Sequence, residues 1–135
     1  MNTIDLLLGL DTGKIKKPTQ TMELKRLSKL VKGKVEFKCQ ALDSDTYSEI
    51  QKNAVDMDSK GAIKGLNVGE MQTFMVLAGV AEPNLKDATL LKHYGAVTPK
   101  ELLLKLLLPG ELVTLYNLIN DLSGFSEDTV EDIKN

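Results

Sequence analysis

The sequence predicts an α+β fold that is mainly helical, in which a small N-terminal antiparallel β-hairpin packs on about five helices. Apolar and polar residues alternate with a period of two in residues 22–25 and again in residues 35–41, which is typical of half-buried strands. Most of the later chain repeats apolar residues at helical spacing and ends in a C-terminal helical hairpin. A length of 135 residues suits one domain. We assign residues 1–125 to this domain and residues 126–135 to a C-terminal tail with a fraying helix.

The first third of the chain is predicted to supply the hairpin. Residues 3–10 form one or two helical turns with Ile4, Leu7 and Leu8 facing inward, and Pro18 then sets an extended entry to the first strand. A helical turn separates the two strands, and neighbouring strands of this kind pair most simply as an antiparallel hairpin. Since a hairpin alone is marginally stable, helices have to cover its apolar face.

The middle of the chain contains three predicted helices, each with a capping residue at its start. Asp43 opens the first helix, Asn67 the second and Asp87 the third. Residues 56–66, which include two glycines, are predicted as a mobile loop, and residues 80–84 as a connector. The run FMVLAGV in the second helix also fits a buried strand; periodicity cannot separate the two, and we favour the helix. The inward-facing residues of the first two helices are predicted to be Tyr47, Ile50, Ala54, Met57, Met71, Phe74, Met75 and Ala78.

Residues 98–125 predict two successive helices with a break at Pro109. Thr98 begins a capping box at the start of the first helix, and Pro109 restarts the second. Gly124 is placed to be the left-handed cap, with Phe125 packing back on the last turn. The inward face of the second helix is predicted to carry Leu112, Leu115, Tyr116, Ile119 and Leu122.

The leucine run in the first of these helices is more apolar than one core face requires. Six of the seven residues in 102–108 are leucine. On a helical wheel, Leu104 and Leu108 point away from the face that the other four leucines share. Val113 likewise lies off the inward face of the next helix. Either a third layer of the same domain covers these three side chains, or they form part of a surface for another chain. They are the candidate partner-binding residues. The shared inward face is predicted to consist of Leu102, Leu103, Leu106 and Leu107.

Bulk properties exclude several classes of protein. No run of about 18 apolar residues occurs, so no membrane-spanning helix is predicted. Residues 1–14 lack the pattern of a signal peptide. The one cysteine, Cys39, cannot form an internal disulfide and suits a reducing cytoplasm.

Charge is unevenly distributed along the chain. Residues 1–40 carry nine Lys/Arg and four Asp/Glu, whereas residues 41–135 carry eight and fifteen. The alternative function is therefore a small adaptor or regulatory domain that binds nucleic acid through the basic segment 14–38. This alternative is disfavoured because a dedicated binder is normally basic overall. Attraction between the two halves, or between copies that meet head to tail, explains the asymmetry more directly.

No motif in the chain supports catalysis, a cofactor or a metal ion. Residues 9–14 resemble a phosphate loop but have one residue too few between the glycines and no Ser or Thr after the lysine. Residues 56–67 match only part of a calcium loop, with Lys60 at a ligand position. His93 is the single histidine and Cys39 is expected on the inward side of a strand, so neither a zinc site nor a Cys–His dyad is supported. We therefore predict a protein that is not an enzyme.

Six short segments occur in an order that resembles a known family. They are Arg26-Leu27-Ser28, Ala41-Leu42, Gly79-Val80-Ala81-Glu82-Pro83, Tyr94-Gly95-Ala96 with Thr98-Pro99, Leu107-Leu108-Pro109-Gly110-Glu111 and Leu122-Ser123-Gly124-Phe125. Each is also ordinary capping or turn chemistry, but the ordered set resembles the XkdN-like tail assembly chaperones of long-tailed phages and prophages. The resemblance covers roughly residues 3–125, and Cys39-Gln40 and the segment 56–67 depart from it.

The resemblance implies a non-enzymatic role in the cytoplasm of an infected or lysogenic bacterium, and absence from the mature virion. The family is thought to bind the tape measure protein, a very long helical chain, to keep it soluble and to help tail tube subunits assemble around it. The expected partners are therefore the tape measure protein and the tail tube protein. The uneven charge adds further copies of the chain as a partner, no membrane is expected, and nucleic acid is kept only as the disfavoured alternative. The resemblance brings no catalytic or ligand residue with it.

Overall fold

The computed structural model describes residues 1–133 and contains a mixed set of short helices and strands. The predicted α+β class, mainly helical with small antiparallel sheets, is confirmed. A 3₁₀ turn at Thr12–Lys14 and a π-helical turn at Asp121–Phe125 complete the regular structure. In chain order the elements are α1 (Thr3–Leu8), β1 (Thr19–Glu23), α2 (Lys25–Val31), β2 (Glu36–Gln40), α3 (Ser44–Asn53), β3 (Val55–Met57), β4 (Ile63–Leu66), α4 (Val68–Gly79), β5 (Val80–Glu82), α5 (Ala88–His93), α6 (Pro99–Leu106) and α7 (Pro109–Asn120).

The predicted N-terminal hairpin is present, but it belongs to a three-stranded sheet. β1 and β2 pair antiparallel, with Thr21 opposite Lys38, and α2 connects them. The prediction that residues 80–84 are only a connector is wrong, because Val80 and Glu82 pair with the free edge of β2. A three-residue strand is too short to produce a period-two signal, and its pairing depends on an edge supplied from far away in the sequence.

A second hairpin replaces the predicted mobile loop at residues 56–66. β3 and β4 pair antiparallel, with Val55 opposite Leu66. The Asp58 carboxylate accepts hydrogen bonds from the backbone N–H groups of Lys60 and Ala62, both at 2.9 Å, and so organises the turn. Met57 was predicted on the inward face of α3 and instead lies exposed in β3, since α3 ends four residues earlier at Asn53.

The core lies where α4 crosses α7 above the sheet. The predicted helix over the FMVLAGV run is confirmed as α4, but its most buried side chains are Met75 and Val76, whereas Phe74 is partly exposed. α4 packs against several neighbours, so burial does not follow a single stripe. At Gly79 a Cβ atom would lie 2.5 Å from Ile119 Cδ1, so glycine permits this close crossing. The fully buried side chains are Phe37, Cys39, Met75, Val76, Leu102, Leu103, Leu115 and Ile119.

The two ends of the described chain differ from the predictions. α1 forms, but Ile4, Leu7 and Leu8 do not face inward, and no residue of α1 is buried. The helix is closed by its own caps, and no other element within residues 1–133 covers its apolar side. Residues 126–133 contain a turn rather than a fraying helix, with the Thr129 N–H donating to the Ser126 carbonyl at 3.3 Å. The remainder of the predicted tail, residues 134 and 135, lies outside the described residues.

Candidate protein-binding surface

The two C-terminal helices meet as an open corner. Thr98 caps α6 as predicted, with its hydroxyl accepting the Glu101 N–H at 3.1 Å. The Glu101 carboxylate accepts the N–H of Val97 at 2.9 Å, one residue before the cap, so the capping box is offset by one position. The bend between α6 and the helix that starts at Pro109 is 118°. The predicted helical hairpin is therefore a corner whose apex is Leu107 and Leu108, both in extended conformation.

An ion pair between distant parts of the sequence fixes this corner. Arg26 of α2 donates to both carboxylate oxygens of Glu111, at 3.1 Å from Nε and 2.8 Å from Nη2. Nη2 also donates to the Leu106 carbonyl at 2.8 Å, and Glu111 Oε1 accepts the Leu108 N–H at 2.7 Å. The hydrogen bond from Arg26 holds the pKa of Glu111 below its ordinary value, and Glu111 in turn raises the pKa of Arg26.

Sequence reasoning missed this pair because it joins residues 85 positions apart. A signal was nevertheless present. Arg26 is the single arginine of the chain, and both it and Glu111 stand inside segments that carry the family resemblance. Arginine suits a bidentate contact with a carboxylate, which lysine cannot reproduce.

The leucine run divides between core and solvent. Leu102 and Leu103 are fully buried and Leu107 is nearly so. Leu104 and Leu108 are each 52% exposed and Val113 is 38% exposed, so no third layer of the described chain covers the three candidate residues. This follows the helical wheel, on which the inward leucines share one face. Gly124, with φ of 98°, adopts the predicted left-handed conformation, but Phe125 stacks on Tyr47 of α3, with ring centroids 5.1 Å apart.

Two of the three candidate residues line one groove. Leu104 and Leu108 stand on one wall of a cavity of about 470 Å³ between the corner and the N-terminal turns of α4. Asn67, Glu70 and Thr73 form the α4 side. We call this cavity the corner groove. Val113 does not line it and lies on a separate exposed side of α7. The remaining lining residues are Gly69, Lys100, Leu103, Leu107, Pro109 and Leu112.

A second and larger apolar groove adjoins the first. It has a volume of about 680 Å³ and lies between α4, β5 and the start of α6; we call it the α4–β5 groove. Lys100 lines both grooves and stands between them, with Nζ 3.1 Å from Glu70 Oε1 and 5.4 Å from the centre of the Phe74 ring. Sequence reasoning did not select this groove, because it placed Phe74 in the core. Its lining consists of Phe74, Leu77, Ala78, Val80, Ala81, Asn84, Leu85, Lys86, Thr98, Pro99 and Lys100.

The two groups considered for catalysis lie in different environments. Cys39 is fully buried on the inward side of β2, as predicted, and burial raises its pKa to about 11. The thiol is therefore protonated near neutral pH and is sealed from reagents. His93 is exposed at the end of α5, and no hydrogen bond links it to Cys39 within residues 1–133. In the same residues no three His, Cys, Asp or Glu side chains are grouped so that they could hold a metal ion.

The basic segment is dispersed over several elements. Arg26 is turned to Glu111, and Lys17 Nζ lies 3.6 Å from Asp43 Oδ2. The remaining lysines are spread over the 3₁₀ turn, α2, β2 and the segments that connect them rather than along one helix face. As for membranes, no single helix in residues 1–133 is both long and apolar enough to cross one. Only α6 and the bent segment Pro109–Phe125 taken together have the required length and composition.

The segments that carry the family resemblance lie at the junctions of the fold. Ser28 Oγ accepts the Val35 N–H at 2.9 Å and so closes the connection between the hairpin strands. Ser123 Oγ accepts the Leu42 N–H at 2.9 Å and donates to the Ile119 carbonyl at 2.6 Å, which ties the end of α7 to the exit of β2. Gly79 marks the crossing of α4 and α7. These residues therefore help to hold neighbouring elements of the fold together.

Comparisons with known proteins agree with this architecture. A search of curated proteins finds no match. A solved structure, described as the crystal structure of the protein yqbn, superposes with a TM-score of 0.62 at 19% sequence identity, over 86% of this chain and 93% of that chain, which indicates a shared fold. The model of the phage XkdN-like tail assembly chaperone family matches residues 4–134, nearly the whole sequence. The chain therefore belongs to the family of phage XkdN-like tail assembly chaperones.

Proposed function

We propose that this protein binds the tape measure protein of a phage tail, keeps that long helical chain soluble and assists the tail tube protein in assembling around it. It acts without catalysis, in the cytoplasm of the bacterial host, and is absent from the mature virion. The supporting observation is the corner groove, an apolar cavity on whose wall Leu104 and Leu108 remain about half exposed in a member of a tail assembly chaperone family.

The shape of the corner groove suits the apolar side of an amphipathic helix. Helix-in-groove recognition uses apolar side chains at i, i+3, i+4 and i+7 that enter a hydrophobic cleft. Leu104 and Leu108 form one wall, and the ion pair between Glu70 on α4 and Lys100 on α6 adds a pair of charges that can fix the register of a bound helix. Val113 extends the apolar surface beyond the groove along α7 and is a second contact for a long partner.

The expected strength of one such contact is modest. Fully burying a leucine contributes roughly 1.5–3 kcal/mol, so covering the exposed halves of two leucines contributes about 2 kcal/mol before the costs of association. One site therefore binds weakly and can be displaced by tube subunits. Several copies along one tape measure chain bind strongly through multivalency. This combination suits a chaperone that has to release its client.

The proposal is tested by placing a carboxylate on the wall of the corner groove. Leu104→Asp and Leu108→Asp, each co-expressed with the tape measure protein encoded in the same phage, are expected to reduce its soluble fraction and to weaken binding about tenfold or more. Both side chains are half exposed, so the melting temperature is expected to change little. Val31→Asp is the matched control, since Val31 is exposed on α2 and does not line the groove.

Two outcomes would contradict the proposal. One is unchanged solubility and affinity in both groove variants, which would remove the corner groove from the binding site. The other is a large loss of melting temperature with no separate loss of binding, which would make these leucines part of the core. Val113→Asp completes the series, with an expected intermediate loss of binding because Val113 lies outside the groove.

A further inference from the structure

α1 is a folded helix whose apolar side is uncovered. The Asn2 side chain accepts the Asp5 N–H at 2.9 Å, and the Asp5 carboxylate accepts the Asn2 N–H at 3.4 Å, so the helix is capped by its own residues. Yet Ile4, Leu7 and Leu8 are 67%, 64% and 79% exposed. Leu6, on another side of the same helix, is 60% exposed. A self-capped helix that displays four large apolar side chains, three of them on one face, is suited to dock on another surface.

The spacing of these side chains is that of a helix that docks in a groove. Ile4, Leu7 and Leu8 stand at i, i+3 and i+4 and therefore share one face. Asp5 follows on the flank of that face and is the only charged residue in Thr3–Leu8. The helix thus presents an apolar stripe with a carboxylate along its edge.

The α4–β5 groove has the complementary character. Its lining is mainly apolar, and among the described residues Lys86 and Lys100 are the charged side chains that line it. Within residues 1–133 no carboxylate lies within 4 Å of the Lys86 ammonium and no cationic nitrogen within 4 Å of the Asp5 carboxylate, so each lacks an ion-pair partner. The corner groove is less suitable for this acidic helix because it contains Glu70.

We propose that α1 of one copy of the chain docks in the α4–β5 groove of a second copy, with Ile4, Leu7 and Leu8 in the groove and Asp5 beside Lys86. Both surfaces are present on every copy at equal concentration. Reciprocal docking produces a closed dimer, whereas docking in one direction produces an open chain of copies. This contact does not involve the corner groove and does not depend on the proposed binding of the tape measure protein.

Light scattering of the purified full chain measures the first consequence. The wild-type mass is expected to rise with concentration from the monomer value of 14.8 kDa to at least twice that value. Leu7→Asp in α1 and Ala81→Arg in the α4–β5 groove are each expected to keep the protein at the monomer mass. Leu30→Asp, exposed on α2, is the matched control and should associate as the wild type does. Circular dichroism confirms that each variant is folded.

Cysteine cross-linking tests which surfaces meet. Cys39 is buried with a pKa near 11, so introduced cysteines react almost alone. Chains carrying Leu8→Cys mixed with chains carrying Ala81→Cys are expected to form a disulfide-linked pair under mild oxidation. Lys29→Cys mixed with Ala81→Cys is the control; these chains still associate, but no disulfide-linked pair is expected because Lys29 lies on α2 and not on α1.

Each contrary result overturns the proposal. A wild-type mass of one copy at every concentration would show that the surfaces do not meet. Cross-linking of Leu8→Cys chains to one another, with association unaffected by Ala81→Arg, would indicate pairing of two α1 helices instead. A chain that carries both Leu8→Cys and Ala81→Cys completes the set. A disulfide that forms within one such chain, with no linked pair of chains, would indicate that α1 folds onto the groove of its own copy.

Discussion

α1 and α6 are two short helices with nearly the same local sequence features and opposite environments. Each begins at a capping residue, Asn2 for α1 and Thr98 for α6, and each contains three consecutive leucines. In α6 two of the three leucines, Leu102 and Leu103, are fully buried. In α1 none of residues 6–8 is buried. The same local pattern thus produces a core helix in one place and an exposed helix in the other.

The difference comes from what holds each helix in place. α6 is joined to the rest of the domain at several points: Lys105 donates to the Tyr94 and Gly95 carbonyls at 3.3 and 3.1 Å, and the Leu106 carbonyl accepts from Arg26. The hydrogen bonds of α1 remain within its own turns. A capping motif therefore establishes that a helix forms, while distant partners decide whether its leucines enter the core.

Truncating a leucine in each helix should produce the largest difference between them. Leu103→Ala removes a fully buried side chain and is expected to reduce the free energy of unfolding by about 2–5 kcal/mol. Leu7→Ala in α1 is expected to change it by less than about 0.5 kcal/mol, because Leu7 is exposed. Urea unfolding of dilute samples, where copies do not associate, measures both values. Similar losses in the two variants would mean that α1 is packed in solution and that the comparison fails.

The same distinction separates what the sequence could predict from what it could not. The N-caps Asp43, Asn67, Asp87 and Thr98 were all predictable, because each accepts from a backbone N–H only three residues ahead. The exposed Leu104 and Leu108 were predictable from the helical wheel once the inward leucines were assigned.

Features that depend on distant partners were not predictable in this way. β5 exists because β2 offers it an edge, and the α4–β5 groove forms only when the start of α6 lies beside α4. The bidentate contact between Arg26 and Glu111 likewise requires α2 and the corner to be brought together by the fold. Local periodicity and capping chemistry contain no information about these neighbours. Sequence reasoning therefore selected the exposed leucines of the corner groove but did not select the α4–β5 groove.

A glycine substitution tests the close crossing of α4 and α7. In Gly79→Ala the new methyl group would lie 2.5–2.8 Å from three carbons of the buried Ile119 side chain, so α4 and α7 would have to move apart. We expect a loss of about 1–3 kcal/mol in the free energy of unfolding from overpacking. Gly110→Ala is the matched control, since it lies in the first turn of α7 with no atom within 4 Å of the added Cβ. That variant should be neutral or slightly more stable. Equal effects at both positions would remove the close crossing as an explanation for glycine at position 79.

The smallest expected effect concerns the ion pair at the corner, and it depends on pH. Glu111 is 18% exposed, and Glu111→Gln keeps the shape and the acceptor for the Leu108 N–H but removes the charge opposite Arg26. We expect a loss of roughly 1–2 kcal/mol in the free energy of unfolding at pH 7. A fully buried hydrogen bond between charged groups contributes more, but partial exposure of this pair to solvent weakens it. Urea unfolding of wild type and variant across pH measures it, with Glu127→Gln, an exposed carboxylate without an ion pair in the described residues, as control.

The pH dependence follows from the direction of the pKa shift. In the folded protein the hydrogen bond from Arg26 keeps the pKa of Glu111 below its ordinary value of 4.5. The contribution of the pair is therefore fully present above about pH 4.5 and is lost as the pH falls through the folded-state pKa. The pKa values of Asp43 and Glu101 are also lowered, by hydrogen bonds from Thr46 and Val97, so the wild type itself loses stability in acid. The informative quantity is thus the difference between wild type and Glu111→Gln, which should shrink toward pH 3. A difference that stays constant from pH 7 to pH 3 would mean that packing of the side chain, and not its charge, holds the corner against α2.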